Sequence, residues 1–169
     1  MLVSHLDAEN RYHALRQLAI STIAGQLPAG SGATLRLIDD AALKASQVWE
    51  SSKTRLVDWD WFAYYPSFKY RHPKRFELAV WAGPTLISLS LGRPTYNATA
   101  LRLDFIEASP EQRSSKAFPI VIAAMATYAE ALGAQEIRVM HPINDEVKNY
   151  YARFGLTYVA QGDYLYTRL

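Results

Sequence analysis

The chain has 169 residues, half of them hydrophobic and a fifth charged, with a formal net charge of +2. That balance excludes a disordered chain, a collagen-like repeat and a strongly cationic tail, and the length suits one domain that buries its own core. No cysteine is present, which excludes thiol catalysis, thiolate metal sites and a disulfide framework. His5, His13, His72 and His141 show no metal-ligand spacing, so no metal is expected.

The first residues, MLVSHLDAENRYHALRQL, mix acids and bases without an unbroken apolar core. They fit neither a secretory signal nor a membrane anchor, and a cytoplasmic protein is expected. Tyr12, Leu15, Ala19 and Ile23 recur at steps of three and four, predicting a helix from Asp7 to about Gln26. The stretch Leu27-Pro28-Ala29-Gly30-Ser31-Gly32 ends it. Ala33 to Ile38 reads as a short strand. Asp39 or Asp40 then caps a second helix running to about Ser52, with Ala42, Ala45 and Trp49 on one face.

Between Trp59 and Phe76 eight aromatic residues gather: Trp59, Trp61, Phe62, Tyr64, Tyr65, Phe68, Tyr70 and Phe76. Pro66 and Pro73 predict a mostly irregular segment there, with Lys69, Arg71, Lys74 and Arg75 interleaved. Phe76–Ala82 and Thr85–Leu91 flank Gly83-Pro84 as a hairpin. Thr99–Ala108 follows as a third strand, in which Leu101, Leu103 and Phe105 alternate with Arg102 and Asp104 to cover one face.

The period then changes. Pro119 to Leu132 is apolar nearly all round and predicts a buried helix, with Pro119 at its first position and Gly133 just past its end. Glu136–Met140 should run parallel to Thr99–Ala108, because a helical crossover joins them. Asn144 caps a last helix that carries Asp145 and Glu146 in its first turn and ends near Arg153 and Gly155. Leu156–Val159 and Tyr164–Leu169 close the chain as strands. The sum is an α+β fold with a mixed β-sheet flanked by helices.

From about Arg75 to Tyr158 this order resembles the GNAT superfamily of acetyl-CoA-dependent N-acetyltransferases. A central strand leads through Ser109-Pro110-Glu111-Gln112-Arg113-Ser114-Ser115-Lys116-Ala117 into the buried helix, where that family binds the diphosphate of its cofactor. Gln112-x-x-Ser115-x-Ala117 is similar to the family's Arg/Gln-x-x-Gly-x-Gly/Ala, with serine for the central glycine; a register anchored on Pro110 instead puts Arg113 first and Lys116 and Phe118 at the glycine positions. Asn144 precedes Tyr151 by seven residues in a segment ending Phe154-Gly155-Leu156, similar to the family's closing pattern. Seven residues are two helical turns, so both side chains share a face.

The resemblance implies a GNAT-like domain over residues 33–169, with residues 1–32 as a helical extension for packing or for forming a homodimer. It implies acetyl-CoA as co-substrate, held by Ile106, Ala108, Gln112, Arg113, Ser114, Ser115, Lys116, Ala117 and Asn144. Tyr151 would protonate the departing thiolate, and Glu107 would take the amine's proton, with Asp104, Glu77 and His141 as further candidate bases. Trp59, Trp61, Tyr64, Tyr65 and Tyr70 would wall the site of a primary-amine acceptor. Three readings stay open: transfer to a small amine, transfer to aminoacyl-tRNA or protein with the basic segment contacting nucleic acid, and a binding module without catalysis.

Overall fold

A computed structural model describes residues 2–112 and 116–169. Helix α1 (Leu2–Gln26) leads to β1 (Ala33–Arg36), α2 (Asp40–Gln47) and a single 3₁₀ turn at Val48–Ser51. Next come α3 (Trp61–Arg71) and the strands β2 (Phe76–Ala82), β3 (Thr85–Pro94) and β4 (Ala100–Ala108). Helix α4 (Ala117–Ala131), β5 (Glu136–Met140), α5 (Asp145–Ala152), β6 (Thr157–Val159) and β7 (Tyr164–Arg168) complete the chain. The sheet order is β1-β2-β3-β4-β5-β7-β6, and among the described residues only β4 and β5 pair in parallel. Among the described residues no helix is long and apolar enough to cross a membrane.

Helices cover both faces of the sheet. On one face Ala19, Ile20 and Ile23 of α1 share a core with Val121, Met125 and Tyr128 of α4 and with Tyr151 of α5. On the other, Ala42 and Leu43 of α2 pack with Trp61, Tyr65 and Phe68 of α3. Charge ties α1 to the sheet as well. Glu9 accepts from Arg16 at 2.6 Å and from Arg75 at 2.8 Å, and Arg75 donates onward to Glu77 at 2.8 Å. Both arginines and Glu77 are buried, so each buried charge has its counter-charge and hydrogen bonds on hand.

Three sequence expectations are corrected here. The segment from Trp59 to Phe76 is mostly helical rather than irregular: Asp60 accepts from the Ala63 N–H as N-cap, and Trp61, Tyr65 and Phe68 bury one face at helical spacing. Pro66 removes one backbone donor, and burial of those three rings outweighs the loss. Helix α4 begins at Ala117, two residues before Pro119. Proline is tolerated at this third position because the first four N–H groups of a helix lack intrahelical acceptors anyway.

The third correction shapes the site. Leu91 lies opposite Phe105 and Gly92 opposite Leu103, so Asp104 is an extra residue on β4 and forms a β-bulge. One extra residue inverts the alternation that follows it. Leu101 and Leu103 join the α4 core, whereas Phe105 joins the α3 core and Ile106 returns to the α4 side. The bulge also ends the partnership with β5. Ala100–Leu103 pair with Glu136–Val139, and beyond Leu103 the two parallel strands part.

Candidate functional site

Two cavities open where β4 and β5 diverge. The smaller, about 150 Å³, is bounded by Arg55, Glu107, Met140, His141 and Tyr151 among others. The larger, about 440 Å³, is bounded by Ser88, Ala117, Phe118, Asn144, Tyr150 and Tyr151 among others. Leu56, Ile106, Ala108, Val147 and Tyr151 form a wall common to both. The floor of the junction is the unpaired end of β4, where Ile106 and Ala108 present backbone that β5 no longer occupies.

Tyr151 stands at this junction because α5 starts at Asn144. The Asn144 side chain accepts from the Val147 N–H at 2.8 Å, and two turns later the helix delivers Tyr151 to the sheet. Its ring stacks on Phe118 with centres 4.3 Å apart. Burial, and to a smaller extent Tyr150, push its phenol above the ordinary tyrosine range, so it keeps its proton at neutral pH. Tyr150 is half-buried against Phe118 and Phe154 and lines only the larger cavity.

Glu107 lies on the α3 side of β4, in the smaller cavity. Arg55 donates from Nε to Oε1 at 2.7 Å and from Nη2 to Oε2 at 3.1 Å, and the Trp61 indole donates to Oε2 at 2.6 Å. Three donors therefore hold a carboxylate that is only 6% exposed. The same Arg55 donates to the Trp59 carbonyl and thereby fixes the loop before α3. The hydrogen bond to Glu107 is the main reason Arg55 holds its proton even more tightly than usual.

The other candidate bases are distributed differently. Asp104 pairs with Arg102 and Arg93 at the bulge, and Glu77 is buried among Tyr65, Arg75 and Arg16. His141 follows β5 and reaches the smaller cavity.

The aromatic residues divide. Trp59, Trp61 and Tyr64 surround Phe105, with Trp59 and Tyr64 each 5.1 Å from it between ring centres, and together they bound an apolar hollow of about 380 Å³. Tyr65 is instead buried, its hydroxyl donating to Glu77 and lying 3.1 Å from the Ile38 carbonyl. Tyr70 stacks on His5 of α1. The basic run is divided too. Arg75 is buried in the ion network, and Lys74 sits over the Tyr12 ring, which leaves Lys69 and Arg71 at the helix end.

Of the expected diphosphate loop, Arg113, Ser114 and Ser115 lie outside the described residues. Gln112 sits in the turn after β4, donating its N–H to Ser109 at 3.0 Å, and Lys116 is the N-cap position of α4, without a side-chain cap. Ala117 lines the larger cavity.

Sequence reasoning missed Arg55, Ser88 and Phe105. Nothing in the sequence pairs Arg55 with a carboxylate 52 residues away. Ser88 is fully buried on β3 opposite Ala108, lines the larger cavity, and has no hydrogen-bond partner for its hydroxyl among the described residues. An orphaned buried hydroxyl in a cavity of this size suits a ligand bearing polar groups such as amides.

No protein-family model matches the chain, and no curated protein matches it by sequence. Solved structures do share its fold. Ard1 from Thermoplasma volcanium superposes with a TM-score of 0.62 at 13% identity, covering 82% of this chain and 98% of that one. An acetyltransferase of the GNAT family from Staphylococcus aureus gives 0.61 at 8% identity, over 81% and 99%. The PaiA N-acetyltransferase from Thermoplasma acidophilum, solved in complex with coenzyme A, gives 0.57 at 15% identity, over 81% and 99%. The chain has the GNAT acetyltransferase fold, and α1 precedes β1 in it.

Proposed function

We propose that this GNAT-fold chain is an N-acetyltransferase that moves an acetyl group from acetyl-CoA to a primary amine. One observation carries the reading: two cavities meet at the parting of β4 and β5 and share Ile106, Ala108, Val147 and Tyr151. A two-substrate transfer needs such a junction, with a donor arm entering from one side and an acceptor from the other.

The larger cavity suits the pantetheine arm. Its amides would meet the Ser88 hydroxyl and the unpaired backbone of Ile106 and Ala108, while Gln112, Lys116 and Ala117 before and at the start of α4 and Asn144 at the start of α5 would face the diphosphate. The neutral amine attacks the thioester carbonyl from the smaller cavity. A backbone N–H of the free β4 end stabilises the oxyanion, and Tyr151 gives its proton to the leaving sulfur as the C–S bond breaks. Glu107 is anchored by Arg55 and Trp61, and it offers its remaining lone pair to the amine or to a water. Beside this site, Trp59, Trp61, Tyr64 and Phe105 supply an apolar wall for the acceptor's carbon skeleton.

The test has two stages. Acetyl-CoA at about 100 times its Kd stabilises a fold by about 2.7 kcal/mol, which for this size raises Tm by about 5–10 °C. Turnover is then followed as free thiol released from acetyl-CoA in the presence of spermidine, a lysine-containing peptide or a free amino acid; the chain has no cysteine to give a background. A melting shift with no thiol release for any amine would make the protein a CoA-binding module, and the absence of a shift would remove the donor site altogether.

A further inference from the structure

His141 holds a backbone conformation that bulky residues rarely adopt, with φ at +48°, immediately before Pro142. Two contacts keep it there. Its N–H donates to the Asp163 carbonyl at 2.8 Å, and its Nδ1 lies 3.2 Å from Asp163 Oδ2. Asp163 is itself at φ +49°, and its other oxygen accepts the Tyr158 hydroxyl at 2.9 Å. The parting of β4 from β5 leaves this imidazole on the wall of the smaller cavity, which Glu107 and Tyr151 also line.

We infer that His141 is the general base for the incoming amine, oriented by Asp163; this rests on the acetyltransferase reading. The chemistry of the donors fixes the tautomer. An ionised carboxylate only accepts hydrogen bonds, so the 3.2 Å contact between Nδ1 and Oδ2 of these two exposed side chains calls for the proton on Nδ1. Nε2 then carries the lone pair, and among the described residues it has no partner. The Tyr158 and His141 hydrogen bonds hold the Asp163 carboxyl below its ordinary range, which keeps it an acceptor. Glu107 is placed differently: three N–H donors occupy its carboxylate and leave one lone pair, enough to accept a hydrogen bond that orients the amine while His141 takes the proton.

Among the described residues, the charged groups around the imidazole come from three places. Asp163 and Tyr158 come from the β6–β7 hairpin. Lys148 of α5 stands 4.5 Å over the Tyr158 ring and pairs with Asp145, and Arg55 and Glu107 neutralise each other in the same cavity. In the reaction the N–C bond forms as Nε2 takes the amine's proton, the C–S bond breaks, and the sulfur takes the Tyr151 proton. The imidazolium then returns a proton to the tyrosinate through solvent, so the chain ends as it began.

The experiment combines ¹⁵N NMR of the imidazole in the full chain with steady-state kinetics on acetyl-CoA and spermidine, a lysine peptide or a free amino acid. Wild-type His141 should show the Nδ1–H tautomer, and Asp163→Asn, which keeps the backbone carbonyl, should admit the Nε2–H form. His141→Asn tolerates the left-handed backbone and should lose about 10²-fold or more in kcat, with KM for acetyl-CoA unchanged. Asp163→Asn should lose less, again in kcat alone. An Nε2–H tautomer in the wild type, or a His141→Asn variant that keeps its turnover, overturns the base assignment while the transferase reading stands. A wild-type protein that acetylates none of these amines overturns both.

Discussion

Gly92 lies so close to the backbone of Arg102 that a β-carbon on it would overlap the Arg102 carbonyl oxygen and stand 3.1 Å from the carbonyl carbon. The approach belongs to the bulge, where Asp104 is the extra residue on β4 opposite the Leu91–Gly92 step, just where β4 parts from β5. Gly92→Ala must push the two strands apart at that point. Overpacking of this kind costs about 1–3 kcal/mol, which for a domain of this length lowers Tm by about 3–10 °C. The same variant should blunt the melting shift given by acetyl-CoA, because the free end of β4 moves with the bulge. Calorimetry reads both, and an unchanged Tm would show that β3 yields freely.

A second prediction concerns acid. Burial alone would raise the carboxyl of Glu9, but the hydrogen bond from Arg75 and the charges of Arg75 and Arg16 outweigh it and hold it below its ordinary 4.5. A carboxyl lowered on folding contributes stability that is present above 4.5 and lost as pH falls through the folded value. Glu9→Gln should therefore be less stable than wild type at pH 7, and the gap should narrow as pH falls below 4.5. Urea midpoints across pH 3–7 decide it: a gap that stays constant would mean that Glu9 acts by shape rather than by charge.

Much of the architecture was legible in the sequence, and the reasons are local. Asp39 and Asn144 cap α2 and α5 as their positions suggested, because a cap needs only a short side chain and an N–H three residues on. Gly133 takes φ +77° past the end of α4, and β4 and β5 are parallel because a helix must cross between them. The failures are long-range. The pattern Trp61, Tyr65, Phe68 was visible at helical spacing, but Pro66 spoke against a helix, and only the facing core on β2 and β3 settles the contest. The bulge at Asp104 carries no sequence mark, so Phe105 was assigned to the wrong face. Arg55 acquires meaning only through Glu107, and Arg75 reads as a surface cation until Glu9 and Glu77 are brought beside it.

Tyr128 links the α4 core to stability at high pH. Burial pushes its phenol up to about 12, with Arg16 and Arg75 pulling back, and its hydroxyl donates to the Lys74 carbonyl at 3.2 Å. An unfolded tyrosine ionises near 10, so from about pH 10 to 12 the unfolded chain releases a proton that the native chain retains. Stability is fully present below pH 10 and falls above it by about 1.4 kcal/mol per pH unit for this group. Tyr128→Phe should cost about 1 kcal/mol at neutral pH from the lost hydrogen bond, and should flatten the alkaline slope by that amount. Denaturation at pH 8 to 11.5 tests the sign, and an unchanged slope would show that Tyr128 ionises as freely folded as unfolded.

The last prediction isolates the proposed proton donor. Tyr151→Phe keeps the ring that stacks on Phe118 at 4.3 Å and removes only the hydroxyl at the junction of the two cavities. Packing should survive, so Tm and the shift produced by acetyl-CoA should stay close to wild type. Thiol release should fall by about 10²-fold or more, the loss typical of a missing general acid. Because burial holds the Tyr151 phenol above the ordinary tyrosine range, the proton is present throughout neutral and mildly alkaline pH. The wild-type profile should accordingly show no decline from Tyr151 ionisation below about pH 10, where an exposed tyrosine would begin to lose its proton. A variant that retains full turnover, with acetyl transfer shown to be rate-limiting, would move the acid role elsewhere. If Tyr151→Phe instead lowers Tm steeply, the hydroxyl serves the fold and not the reaction.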